Sequence, residues 1–300
     1  MHPMHTDWRC TGLRWSPAEG PALTWHHPAH GDRLSPLPPE RRLAFTTGPA
    51  RHCTGVRRAG RHTPCPTEAV VPPAAVSAQC PECARLDRSH SVAADTAADD
   101  PRPYDVYLAW FAPGLIKVGI TATEREGARL LEQAALSHAL LGRGPLMAAR
   151  RAESVLGAAL AVPDRFPYAA KRAARHPVPP QAARATELAD LHARACRLPG
   201  LPESLAVREF APVHHDATFH LDRLRPDPGV VALAPGCTVA GRVAAVAGPD
   251  VYLESADGRF LLLDARQLAG WGLAAAAPDA ETTADVRNDG ATAEGPEALF

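Results

Sequence analysis

Cys80-Pro81-Glu82-Cys83 is a C-x-x-C pair, whose short loop lets two thiolates reach one ion. Cys53 and Cys65 lie upstream and can supply the other two donors of a tetrahedral site. Together Cys53, Cys65, Cys80 and Cys83 suit a structural zinc, which would stabilise a segment with little core of its own. His52 and His62 could each replace one thiolate, and the interval from 53 to 65 is wider than in a pair-pair zinc ribbon. The competing reading is a redox C-x-x-C; that motif is expected beside a βαβ pattern, which this sequence lacks. Cys10, Cys196 and Cys237 stand alone and read as small buried hydrophobes.

A second chemical set begins in residues 104–121, YDVYLAWFAPGLIKVGIT, two short apolar runs around a Pro-Gly turn. A three-residue loop at 112–114 would set Phe111 opposite Leu115, Ala109 opposite Lys117 and Tyr107 opposite Gly119. Paired residues lie on one face of a sheet. Tyr107, Lys117, Gly119 and Thr121 then share a face, while Val106, Leu108, Trp110, Ile116, Val118 and Ile120 fill the other. A one-residue slip would destroy that arrangement. A strand glycine marks close approach of a ligand or of backbone; here it leaves room beside a hydroxyl and an amine.

Downstream, Arg125 and Arg129 are four apart and would share a helix face. Such arginines are usually only solvated. Glu153 is more informative, because it is the one charged member of an apolar stripe at Leu146, Ala149, Leu156 and Leu160. A carboxylate there must pair, ligate a metal or face a cleft. A salt bridge to Arg129 or Lys117 is the plain alternative. Tyr107, Lys117, Arg129 and Glu153 are thus the candidate catalytic residues, with Gly119 and Arg125 as binding positions beside them.

The elements that must hold these residues divide the chain into pieces. Residues 1–92 read as a cysteine-containing β and loop segment, with strands near 13–15, 22–25 and 42–46. Residues 93–103 read as an acidic, Pro-punctuated linker. Residues 104–200 form an α+β unit: strands at 105–111 and 115–121, then helices at 124–141, 145–161 and 180–197. Residues 201–273 are a small antiparallel β region with strands at 238–246, 251–254 and 259–263. Residues 274–300 read as a disordered tail.

Composition narrows the function. The 300 residues are 46% hydrophobic and carry a net charge of −1, which argues against a generally basic nucleic-acid binder. The charge is uneven, however. Residues 102–175 hold 11 Lys and Arg against 6 Asp and Glu, and residues 236–300 hold 4 against 10. A basic middle suits a phosphate-facing unit, although solvated arginines would give the same count. No apolar run is long enough to span a membrane, no signal peptide is evident, and seven cysteines predict a reducing cytoplasm.

A hairpin with two short motifs, then a helix with an arginine, then a helix with a glutamate resembles the GIY-YIG nuclease module. Tyr107-Leu108 corresponds to the first motif and Lys117-Val118-Gly119 to the second. More closely, residues 53–175 resemble a prokaryotic family, domain of unknown function 2797. The matching residues are Val106-Tyr107-Leu108-Ala109, Lys117-Val118-Gly119-Ile120-Thr121, Arg129-Leu130-Leu131-Glu132-Gln133-Ala134 and Glu153, with cysteines upstream; Asp164-Arg165-Phe166 matches a further segment. The nuclease resemblance implies a GIY-YIG-like α+β fold and DNA or RNA as partner. It also implies a tyrosine assisting an attacking water, an arginine on the phosphate, and Mg or Mn held by Glu153. The sequence departs from that pattern at Lys117, where the module has a tyrosine, and at Leu130, where the family has a tryptophan. A metal-dependent nuclease and a non-catalytic, zinc-stabilised binding protein both remain open, and the oligomeric state is not given.

Overall fold

A computed structural model describes residues 8–58, 61–88, 100–173 and 175–287. Most of the expected linker, at 93–99, and the end of the expected tail, at 288–300, lie outside the described residues. The chain opens with strands β1 (Arg9–Ser16), β2 (Gly20–His27), β3 (Gly31–Pro36) and β4 (Arg42–Arg51). Gly20 and Gly31 take the positive φ values, 77° and 71°, that the tight turns between β1, β2 and β3 need. A short hairpin, β5 (Val56–Arg58) and β6 (Arg61–Thr63), and helix α1 (Pro81–Arg88) carry the cysteines.

The central unit runs β7 (Pro103–Ala112), β8 (Leu115–Ala122), α2 (Ala128–Glu132), β9 (Ser137–Pro145) and α3 (Leu146–Leu160). It continues through α4 (Tyr168–Ala173), α5 (Gln181–Cys196), β10 (Ala206–Val207), β11 (Pro212–His214) and α6 (Asp216–Phe219). The remaining elements are β12 (Gly229–Ala232), β13 (Thr238–Ala247), β14 (Asp250–Glu254), β15 (Phe260–Asp264), α7 (Ala265–Leu268), β16 (Trp271–Ala275) and β17 (Asp285–Arg287). The architecture is mixed α+β and mostly sheet.

The hairpin register is the one that alternation predicts at the chemical positions: Tyr107 pairs with Gly119 and Ala109 with Lys117. It differs at the tip. A bulge between Trp110 and Ala112 sets Ala112, not Phe111, opposite Leu115, so the turn is the two residues Pro113-Gly114. Gly114 supplies the positive φ of 72°. The two faces separate as expected. Val106, Leu108, Trp110 and Val118 join the main core, whereas Tyr107, Ala109 and Phe111 pack with Leu130 and Ala135.

The expected helix over 124–141 is replaced by a 3-10 turn at Thr123–Arg125, the single helical turn and a half of α2, and strand β9. Glu126, Gly127 and Ala134 have φ of 46°, 84° and 57°, conformations no helix continues through. Strand β9 then pairs along the free side of β7, giving a sheet ordered β10, β9, β7, β8, with β11 also on β9. The expected helices at 145–161 and 180–197 are present as α3 and α5.

The terminal strands form one ten-stranded sheet in the order β17, β12, β15, β14, β13, β4, β16, β1, β2, β3. Strand β4 lies between β13 and β16, so the N-terminal strands and those after residue 228 share one ladder. Part of the expected tail is ordered in this sheet, since β17 pairs with β12. Among the described residues, no helix is long and apolar enough to cross a membrane.

Candidate functional site

Two sites emerge, and the cysteines make the simpler one. One ligand atom from each of Cys53, Cys65, Cys80 and Cys83 lies within 4.8 Å of the others. All four side chains are buried, and Cys65 Sγ is 4.0 Å from Cys80 Sγ. Zinc–sulfur bonds of about 2.3 Å place tetrahedral sulfurs roughly 3.8 Å apart, so the spacing fits a metal such as zinc. Backbone N–H groups of Gly55 and Cys80 donate to Cys53 Sγ at 3.4 and 3.2 Å. Burial pushes the thiols of Cys53 and Cys83 up, and Cys83 is raised further by its cysteine neighbours. For Cys65 burial is outweighed by hydrogen bonds from Thr67 and from backbone at 67 and 69, which bring it down to about 6. Four thiolates so close can coexist only around a cation. The wide interval from 53 to 65 holds the β5–β6 hairpin, which folds Cys65 back beside Cys53.

The second site lies at β8, an edge strand of the central sheet. Tyr107 is buried, and its Oη accepts a hydrogen bond from Gln133 Nε2 at 2.9 Å. The space left by Gly119 is filled by that tyrosine: a Cβ on Gly119 would come 2.4 Å from Tyr107 Oη. Burial raises the Tyr107 phenol above its ordinary value, Gln133 and Arg129 pull it back, and Glu153 pushes it up again.

Lys117 is also buried, with Nζ donating to the backbone oxygen of Asp164 at 2.9 Å. Its pKa is lowered to about 8, first by burial and then by Arg129, with Glu153 and Asp164 opposing the shift. Glu153 sits half-buried at the margin of the α3 stripe, whose core positions are Leu146, Ala149, Ala152 and Leu156. Among the described residues it makes no ion pair within 4 Å. Its carboxyl is raised by burial and then by Asp164, with Lys117, Arg150 and Arg165 pulling it down. Arg129 and Glu153 therefore both act electrostatically on Tyr107 and on Lys117.

Arg129 and Arg125 do not share a helix face, because residues 126 and 127 break the chain between them. Both turn to Glu132, Arg125 at 2.6 Å and Arg129 at 3.7 Å, and the Arg129 side chain is 49% exposed. Neither of two cavities, of about 350 and 330 Å³, is lined by any of these residues. Tyr107 and Lys117 lie buried beneath the partly exposed Arg129 at this sheet edge.

Comparison with known proteins adds one finding. A family model described as protein of unknown function (DUF2797) matches residues 40–273, well over half of the chain. The chain belongs to this family. No curated protein and no solved structure matches it. The DUF2797 match takes in β4, the cysteine cluster, the central sheet and the strands through Leu273 of β16, and leaves out β1, β2 and β3.

Within the DUF2797 region, Lys171 escaped the sequence reading. It is buried on α4, with Nζ 4.0 Å from the centroid of the Phe111 ring. Burial lowers its pKa to about 8, and Lys117, Arg175 and Arg129 add to the shift. Two buried lysines and an arginine that repel one another make a cation cluster suited to an anion. The only sequence signal was the Lys-Arg pair at 171–172, which looks like solvated helix surface.

Proposed function

We propose that the β8 edge handles the phosphodiester backbone of DNA or RNA, and that Tyr107, Lys117, Arg129 and Glu153 hydrolyse it with a divalent metal. The observation that carries this reading is the hairpin register, which puts buried Lys117 on the face of the Tyr107–Gly119 pair, beside a carboxylate, Glu153, that makes no ion pair among the described residues and acts on Lys117. The chain order of hairpin, arginine-bearing helix and glutamate-bearing helix supports a GIY-YIG-like unit. Lys117 then stands where that module has a tyrosine. Near pH 7 it is an ammonium that neutralises phosphate; above about 8 its free amine can accept the proton of an attacking water.

Glu153 fits a hard cation. It is half-buried and makes no ion pair among the described residues, with Asp164 near enough to raise its pKa, and Mg²⁺ is commonly held by one or two carboxylates plus substrate phosphates. When bound, such an ion supplies charge neutralisation at the transferring phosphate. Arg129, exposed on α2, can reach a phosphate oxygen, and Lys171 extends the cation cluster behind it. The four cysteines hold a structural zinc in this reading.

The test uses the full chain with Mg²⁺ or Mn²⁺ on single-stranded, duplex and branched DNA and RNA. Cleavage that falls at least about a hundredfold in Glu153→Gln and rises with pH through about 8 is expected. Absence of cleavage on every substrate overturns the catalytic part. A second reading, a binding module without catalysis, is favoured by one observation: Tyr107 is only 1% exposed, and its oxygen is engaged by Gln133. In that case binding weakens steeply with salt, and Glu153→Gln binds as well or better.

A further inference from the structure

We infer that His26, Asp32 and His62 form a second metal site, taking a borderline divalent transition metal such as zinc, cobalt or nickel. One ligand atom from each lies within 4.8 Å of the others. The three residues reach this point through two hairpins. His26 on β2 is the cross-strand partner of Asp32 on β3, and His62 on β6 is the cross-strand partner of Arg57 on β5. Directly paired residues share a face, so each hairpin presents two of the four side chains together. The His26 and His62 ring centroids are 4.2 Å apart.

The protonation of His62 is that of a ligand. His62 Nε2 lies 2.6 Å from the backbone oxygen of Thr54, which can only accept, so Nε2 carries the proton. Its Nδ1 is left with a free lone pair and is buried without a hydrogen-bond partner among the described residues. A metal-binding histidine commonly has its other nitrogen fixed by a carbonyl in this way. Asp32 Oδ1 accepts a hydrogen bond from His26 Nδ1 at 2.8 Å, and a metal that took both atoms would displace that proton. Both Arg57 guanidinium nitrogens donate to Asp32 Oδ2 at 3.1 Å, which keeps the carboxylate ionised and oriented. Two imidazoles and one carboxylate are a borderline N/O donor set.

Three protein ligands leave coordination positions open, as in catalytic rather than structural sites. His62 and Arg57 also line the cavity of about 350 Å³, together with Thr54, Gln79 and Asp87. The hairpin carrying His62 is bracketed by Cys53 and Cys65, so the thiolate cluster holds the second site in place. His26 and Asp32 fall outside the residues matched by the family.

The test is cobalt binding to the purified, zinc-loaded full chain, followed by equilibrium dialysis with metal analysis and by visible absorption. Wild type is expected to take up one further equivalent of Co²⁺, with d–d bands and no thiolate charge-transfer band. His62→Gln, His26→Gln and Asp32→Asn are each expected to weaken that uptake at least tenfold and to keep the cysteine-bound zinc, which reports an intact fold nearby. His26 and Asp32 are 21% and 42% exposed, so their variants keep the test open if His62→Gln misfolds. A wild-type chain that takes up no added cobalt, or variants that bind it as wild type does, overturns the assignment.

Discussion

Gly119 and Lys117 show how closely the β8 edge is built. Alanine at 119 would drive a Cβ to 2.4 Å from Tyr107 Oη and 2.5 Å from Cζ, and the ring is buried and tied to Gln133. Overpacking of this kind costs about 1–3 kcal/mol. Gly119→Ala is expected to lose that much in urea denaturation, and Gly119→Ala with Tyr107→Ala to recover part of it. For Lys117 the sign follows from its folded pKa of about 8, below the ordinary 10.5. Below about pH 8 both states are protonated and the folded state bears the full cost of a buried ammonium. Between about 8 and 10.5 the unfolded state binds more protons, so the cost is relieved as pH rises. Lys117→Met is therefore expected to raise stability at pH 7 by about 1 kcal/mol, with the gain fading toward pH 10.5. The same variant is expected to lose cleavage or binding, which a lysine retained for packing alone would not produce. Urea midpoints across that pH range, beside an activity assay, check both halves.

Strands and helices differ in how much of themselves they announce. The pairing of Tyr107 with Gly119 was readable because strict alternation and a Pro-Gly turn fix register locally. Helices α3 and α5 were readable from periodicity, and the four cysteines from ligand type. Strand β9 was not: its run Ser137 to Leu141 includes alanine and leucine, favourable in helices, and only its ladder with β7 makes it a strand. Lys171 was hidden for a related reason, since its approach to Phe111 depends on the path of residues 161–167. That path also protects the edge of β8, where Val118 N–H donates to the oxygen of Pro163 at 3.2 Å. The β5–β6 hairpin has few apolar contacts beyond the cysteines; Val56 and Ala69 are its companions in that cluster. Removing a metal there should unfold the element and not the protein. A strong zinc chelator, or Cys83→Ser, is expected to abolish hydrogen-exchange protection at 53–58 and 61–88 and leave β7, β8 and β9 unchanged. Loss of protection in the central sheet would contradict that independence.

At the scale of the whole molecule, strands β1 to β4 and β12 to β17 are one sheet. Thr46 pairs with both Thr238 and Ala274, so β4 has no complete neighbour within its own third of the sequence. Pairings at such separation leave no local trace, which is why the terminal pieces read as separate units in the sequence. Trp15 reaches across to donate to the oxygen of Gly248 at 2.7 Å. The central unit is fastened to this sheet by charge. Asp250 at the start of β14 is 0% exposed and accepts from Arg172 Nε at 3.1 Å and from Arg175, which is itself buried. Arg175 also donates to Tyr168 Oη at 2.8 Å and Tyr252 Oη at 3.1 Å, while Arg172 reaches Asp264 at 3.2 Å. Removing one member of a buried pair leaves an uncompensated charge and costs about 3–5 kcal/mol, whereas removing both costs far less. Asp250→Ala is expected to lose stability in that range, because Arg175 keeps its charge with two phenols for company. Asp250→Ala with Arg175→Met is expected to recover at least half of the loss, and Asp264→Ala alone to cost less, since Arg172 retains Asp250. Urea denaturation followed by tryptophan fluorescence measures all three. Additive losses in the double variant would mean that the two side chains stabilise the junction by packing and not as an ion pair.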